Sequence, residues 1–191
     1  METDLKRRKA LIFATGALTG AGLIAVSLPF IRSLEPASDK EHPVIDIDIT
    51  KLKDGQMFAV ELYGKLIYVI KRSEELINNL ESINTKLLDP ESNNSNQPEH
   101  SKNPLRSLRP DIFVAYASCT HLGCSVSHNP PGENADYGES FKMGNWYCPC
   151  HGSIYDLAGR VYKGVPAPRN LDIPEYEYYN DTTLRVKADI F

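Results

Sequence analysis

The sequence predicts a mainly antiparallel β domain with one helix and a cysteine- and histidine-bearing insert, carried behind a single N-terminal transmembrane helix. Three observations lead there. An uncharged, largely apolar run, Ala10–Ile31, follows the basic stretch "KRRK" at residues 6–9. Beyond it, short runs carry apolar residues at strand period, and one later run switches to helical period. All four cysteines fall in two short stretches, "CTHLGC" (Cys119–Cys124) and "CPCHG" (Cys148–Gly152), each with a histidine.

A helix needs about 20 predominantly apolar residues to cross the hydrocarbon core, and residues 10–31 suffice despite Gly16, Gly20 and Gly22. A cleaved secretory signal has a shorter apolar core of about 7–15 residues and a small-residue cleavage site. Only the weak "EPAS" at residues 35–38 is present here, so a retained anchor is expected. The run lacks a polar face, which argues against a buried soluble helix. The basic cluster within residues 1–9 holds the N-terminus in the cytoplasm and sends the rest of the chain across. Arg7-Arg8 is also a twin-arginine pair, which reads either as an export address or as part of the orienting charge cluster. Residues 32–43 are polar and aperiodic and read as a flexible hinge or linker. Extended, such a tether reaches at most about 36–40 Å, enough for a head domain to swing, and an inert spacer would have the same composition.

The next elements are strands. "VIDIDI" (Val44–Ile49) alternates apolar and acidic residues, the period of a half-buried strand. "QMFAVEL" (56–62), the turn "YGK" and "LIYVI" (66–70) read as a hairpin rich in β-branched and aromatic residues. Over 73–88 the period changes. Leu76, Leu80, Ile83 and Leu87 fall at helical spacing, with Ser73 as cap, Glu74 against the dipole, and Asp89-Pro90 as the stop. Residues 89–110 are dominated by Asn, Ser, Glu and Pro and read as a long surface excursion. "IFVAY" (112–116) is a strand leading into the first cysteine stretch, and "GRVY" (159–162) and "TLRV" (183–186) are strand-like.

Lys+Arg 21 against Asp+Glu 25 leaves a net charge of −4. That excludes the broad basic field, and no interleaved aromatic and basic patch offers a nucleic-acid surface in its place. Four cysteines are too few for a disulfide scaffold and too clustered to be scattered core residues.

Cys119-x-His121 and Cys148-x-x-His151 put a thiolate and an imidazole on each of two loops bounded by Gly and Pro. A lone histidine is usually a surface or satisfied core residue, which suits His42, His100 and His128. It suits His121 and His151 poorly, because each lies two or three residues from a cysteine. Three sites fit: tetrahedral zinc on two cysteines and two histidines, a module pairing all four cysteines, or a [2Fe–2S] centre in which two histidines replace two cysteines on one iron. A zinc site would not need Cys124 and Cys150.

"CTHLGC" with "CPCHGS" resembles the two boxes of the Rieske iron–sulfur proteins, specifically the bacterial-type subunit of quinol–cytochrome c reductase (the cytochrome bc complex). "GVPAPRNL" (164–171) resembles that family's proline loop, here Gly164, Pro166, Ala167 and Pro168, with Val165 as a small departure. The resemblance covers nearly the whole chain. It implies an antiparallel β-sandwich base (44–114 and 171–191) and an inserted rubredoxin-like cluster subdomain (115–170). It also implies one [2Fe–2S] cluster, with Cys119 and Cys148 on the inner iron and His121 and His151 on the outer one. Cys124 and Cys150 would form a disulfide, and Ser153 and Tyr155 would donate to a bridging sulfide and to the Cys119 sulfur. The implied partners are cytochrome b, a c-type cytochrome and quinol, in a dimeric complex, with His151 as the quinol contact and His121 chemically similar.

The nearest rival is the Rieske subunit of another exported oxidoreductase such as arsenite oxidase. The anchor, the 73–88 helix and the proline loop favour the quinol enzyme. Rieske ferredoxins and dioxygenase-linked domains lack the Cys124 and Cys150 pair, and a structural zinc module is the reading from a different class. No long presequence of the mitochondrial kind is seen, so the expected location is a bacterial inner membrane with a periplasmic cluster domain. Folded export by the twin-arginine route suits a cluster assembled before translocation.

The ligand set has a chemical rationale. Four thiolates around an oxidised [2Fe–2S] core leave a dianion, whereas two thiolates and two neutral imidazoles leave a neutral site. An electron enters the neutral site more easily, so Rieske centres lie at about −150 to +300 mV against about −400 mV for plant-type ferredoxins. Hydroxyl donors such as Ser153 and Tyr155 stabilise the reduced state and favour the high end of that range. Imidazole on oxidised iron sheds its second ring proton more readily, so the potential is expected to fall with pH in the alkaline range.

Overall fold

The computed structural model describes residues 2–34 and 44–187. The chain divides into two units, Met1–Glu41 and His42–Phe191. The first holds helix α1 (Glu2–Ser33), 32 residues and about 48 Å long at 1.5 Å per residue. Leu11, Phe13, Leu18, Leu23 and Phe30 all stand exposed on it. The hydroxyls of Thr15 and Ser27 bond back to the carbonyls of Leu11 and Ile24, which removes their polar demand from the surface. The helix is long and apolar enough to cross a membrane. It extends past the 10–31 run at both ends, because the Lys/Arg residues before it are good helix formers and Arg32 suits the negative end of the dipole. Arg32 and Ser33, expected in the linker, are therefore helical. The linker from residue 35 to 43 lies outside the described residues, as does His42.

The second unit is built from nine described strands: β1 (Val44–Asp48), β2 (Met57–Leu62), β3 (Lys65–Lys71), β4 (Ile112–Tyr116), β5 (Ser127–Asn129), β6 (Asn145–Tyr147), β7 (Ile154–Tyr155), β8 (Glu175–Asn180) and β9 (Thr183–Lys187). They form three antiparallel sheets, β1-β9-β8, β2-β3-β4 and β5-β6-β7. In β1 the isoleucines turn inward, while Asp46 faces out to take both donors of Arg185 on β9 at 2.7 and 2.8 Å. The strand ends one residue short of the expected 44–49, since the Asp48 carboxylate caps a 3-10 turn at Ile49–Lys51. The β2–β3 hairpin closes on Tyr63 and Gly64, both at positive φ (52° and 75°), the two-residue turn that matches strand twist. Central strand β3 buries Ile67, Val69 and Ile70 completely, each contributing about 1.5–3 kcal/mol.

Three expectations need correction. The 73–88 helix is shorter: α2 runs Glu74–Ser82, started by Ser73 Oγ accepting from Leu76 N–H. Asn84 and Thr85, poor helix formers, tighten the chain into a 3-10 turn, and Leu87 then extends to bridge Tyr162. "GRVY" makes only isolated bridges rather than a strand, because Gly159 reverses the chain at φ 69°. The 89–110 excursion is not merely a surface loop, since Ser92, Ser101 and Arg106 are fully buried within it. The short strands β5, β6 and β7, strand β8, and helix α3 (Glu139–Lys142) come in addition. One apolar core, including Ile47, Val69, Phe113, Trp146 and Leu184, joins the three sheets.

Candidate metal centre

Sheet β5-β6-β7 carries two loops built alike. In the first, Cys119 N–H donates to Cys124 O (2.8 Å) and Gly123 N–H to Cys119 O (2.9 Å). In the second, Cys148 N–H donates to Ser153 O (2.8 Å) and Gly152 N–H to Cys148 O (3.0 Å). Gly123 and Gly152 lie at φ 81° and 76°, the left-handed conformation that favours glycine. This reversal turns backbone donors onto each loop's own first sulfur: His121 N–H onto Cys119, and the N–H groups of Cys150 and His151 onto Cys148.

Depth sorts the side chains. Cys119 and Cys148 are 2 % exposed and are free thiols. Their histidines point the other way: His121 is half-buried and His151 exposed, with ring centroids 4.9 Å apart and planes nearly perpendicular. Cys124 and Cys150 are joined in a disulfide across the two loops, with a Cα–Cα distance of 6.6 Å. The sulfurs of Cys124, Cys148 and Cys150 lie within 4.8 Å of one another. Two of these three are oxidised, so only Cys148 of that trio can ligate as a thiolate.

The Tyr155 hydroxyl stands 3.2 Å from Cys119 Sγ. It accepts from Thr120 N–H at 3.1 Å, while the Thr120 hydroxyl gives its own proton to Arg169 O at 2.6 Å. The phenolic proton is thereby left for the Cys119 sulfur, shared with Thr120 Oγ1 at 3.1 Å. Burial and the neighbouring Cys119 push the Tyr155 hydroxyl well above its ordinary value, so it stays a donor. Burial also pushes the Cys119 thiol up, but Tyr155, His121 N–H, Cys148 and Ser153 together outweigh it and hold that thiol below its usual value. For Cys148 burial wins, reinforced by the adjacent Cys119, and its thiol is raised. The proline-loop residues close the site. Ala167 is buried and its N–H donates to Ser153 Oγ at 3.1 Å, whereas Gly164, Pro166 and Pro168 are exposed.

Thr120 and Leu122 were not singled out by sequence reasoning, although both lie inside "CTHLGC". Leu122 stands 70 % exposed beside His121. His100 and His128, expected to be ordinary, each bury an Nε2 that makes no hydrogen bond.

Two buried thiols served by N–H and O–H donors, with two imidazoles on the solvent side, suit a metal–sulfur unit that must stabilise extra negative charge. The donor chemistry fits a [2Fe–2S] cluster, and the second cysteine pair is engaged elsewhere. The fold and donor set are those of an antiparallel-β domain suited to hold a metal–sulfur group. The Rieske [2Fe-2S] domain family matches residues 42–177. The ubiquinol-cytochrome c reductase iron-sulfur subunit of Allochromatium vinosum is 42 % identical over 185 residues, 96 % of this chain and 89 % of the relative. The subunit of the same name from Blastochloris viridis is 39 % identical (98 % and 96 % covered), and that from Rhodospirillum rubrum 34 % (96 % and 92 %). The chain belongs to the Rieske iron–sulfur subunits of ubiquinol–cytochrome c reductase. Its cofactor is a [2Fe–2S] cluster, which sets aside the zinc module, and the relatives' names favour the quinol enzyme over the arsenite oxidase reading.

Proposed function

We propose that this chain is the high-potential electron carrier that takes one electron, coupled to a proton, from quinol and passes it to a c-type cytochrome. The observation that carries the reading is the division of the site by depth: buried Cys119 and Cys148, half-buried His121 and exposed His151. Held by these four residues, the [2Fe–2S] cluster supplies the one-electron acceptor. The imidazole of His151 is exposed to solvent; with one nitrogen on iron and the second having shed its proton, that second nitrogen would accept the quinol hydroxyl's hydrogen bond and then its proton. His121, less exposed, would supply the second imidazole ligand. Leu122 offers an apolar contact beside them. Ser153 and Tyr155 donate toward the sulfur side and raise the potential, and the loop at Gly164, Pro166, Ala167 and Pro168 shields that side from water.

The same reading assigns residues 44–114 and 171–191 to a base and 115–170 to the cluster subdomain. Helix α1 would anchor the chain in a bacterial inner membrane, with its N-terminus cytoplasmic and the cluster domain periplasmic. The partners would be cytochrome b and a c-type cytochrome in a dimeric complex, and head-domain movement would carry the electron between them. The test is quinol addition to membranes holding the assembled complex, with the reduced cluster followed by electron paramagnetic resonance. Quinol should raise that signal and c-type haem reduction should come after it. A signal that dithionite produces and quinol does not would refute the reading.

A further inference from the structure

Three groups of the 89–110 excursion, Arg106, Ser92 and the Asp89 carbonyl, meet the loop Gly159–Leu171, which contains the Gly164–Pro168 segment. The loop's base is closed by Leu171 N–H on Gly159 O at 2.8 Å. The Arg106 guanidinium spans that base. Its Nη2 donates to Leu171 O (2.7 Å), and its Nη1 donates to Gly159 O (3.1 Å) and Ala158 O (3.3 Å). Nε and Nη2 also meet Gln97 Oε1 at 3.1 and 2.9 Å. Contacts thus match all five N–H donors of the planar fork. Asn170, also fully buried, pins the loop from inside. Its Oδ1 accepts from Val161 N–H (2.9 Å), and its Nδ2 donates to Asp89 O (2.9 Å) and Ser92 Oγ (3.0 Å).

Gly159 shows how closely the two pieces fit. A Cβ there would stand 3.0 Å from Arg106 Nη1 and 2.8 Å from Phe113 Cζ. At its other end the loop reaches the site, through Ala167 N–H on Ser153 Oγ and Arg169 O on the Thr120 hydroxyl. A buried cation is tolerated only when its donors are satisfied, and here the satisfying acceptors include both ends of this one loop.

We infer that the 89–110 excursion is a clamp on the Gly159–Leu171 loop, and that Arg106 is the positioning residue that keeps Ala167 N–H on Ser153. The inference rests on the proposed donor role of Ser153. Lysine keeps the charge of Arg106 but cannot bridge carbonyls with a planar fork, so Arg106→Lys separates position from charge. In the full chain with its cluster, Arg106→Lys should speed amide exchange over residues 160–171 by about tenfold or more, a local opening. It should leave the β3 and β4 amides unchanged and lower the midpoint potential. Gln97→Ala, at a half-buried position, should move both readouts the same way by less, and it decides the matter if Arg106→Lys does not accumulate. Unchanged exchange at 160–171, exchange raised equally in β3 and β4, or a loosened loop with an unaltered potential would each overturn the clamp. Wild-type protein without a reduced-cluster signal would sink the proposed function instead, and the exchange pattern alone would then decide the clamp.

Discussion

Replacing Tyr155 with phenylalanine removes one oxygen from a site where its place is well defined. Its hydroxyl lies 3.2 Å from Cys119 Sγ, and the surrounding bonds leave the phenolic proton for that sulfur. A hydrogen bond to a charged acceptor contributes about 1.5–3 kcal/mol, and only the part that grows on reduction shifts the potential. If that part is about 1–2 kcal/mol, the shift is about 40–90 mV downward, at 59 mV per tenfold change for one electron. Because burial raises the Tyr155 hydroxyl far above neutrality, the shift should stay constant from weakly acid to weakly alkaline pH. The assay is a potentiometric titration of the full chain monitored by electron paramagnetic resonance, with cluster content measured alongside. An unchanged potential at full cluster content, or a shift that vanishes within that pH range, would refute the reasoning.

Ser153→Ala should also lower the potential, since the hydroxyl acts on Cys119 while accepting from Ala167 N–H; an unaltered titration would contradict that. Replacing Cys124 and Cys150 by serine opens a cross-link over a separation of 26 residues, worth about 3–4 kcal/mol in chain entropy. Thermal unfolding should begin at lower temperature and cluster loss should be faster, and an unshifted melt would count against the disulfide as a brace. His128 packs on Trp146 with ring centroids 4.8 Å apart, and burial pushes its pKa down to about 4. The unfolded chain then binds this proton first, so stability should decline as pH falls from about 6.5 to about 4 and be level above that window. His128→Leu should flatten the decline in denaturant titrations, whereas an unchanged slope would assign it to other groups.

Much of this was legible because local chemistry and fold agree. The β2–β3 hairpin announced itself by apolar runs around Tyr63-Gly64, and β4 by the apolar run "IFVAY", whose five residues are all buried. The disulfide was implied by the family resemblance of the two cysteine stretches. The helix end at Ser82 was obscured because Ile83 and Leu87 keep an apolar rhythm that the chain uses for packing after it has left the helix. The strands of the third sheet are only two or three residues long, too short for a period to register. Arg106 and Asn170 were invisible for another reason. Their partners include backbone carbonyls far away in sequence, and no composition rule marks a polar residue in a Pro- and Asn-rich stretch as core.

The central claim is that two buried cysteines and two outward histidines hold a proton-sensitive, high-potential cluster. It is tested most directly by titrating the midpoint potential of the full chain as a function of pH. The account predicts a paramagnetic reduced state and a potential in the upper part of the about −150 to +300 mV Rieske range, level in acid and falling as the solution becomes alkaline. A reduced protein with no resonance signal, or a potential that stays flat throughout the alkaline range, would contradict it.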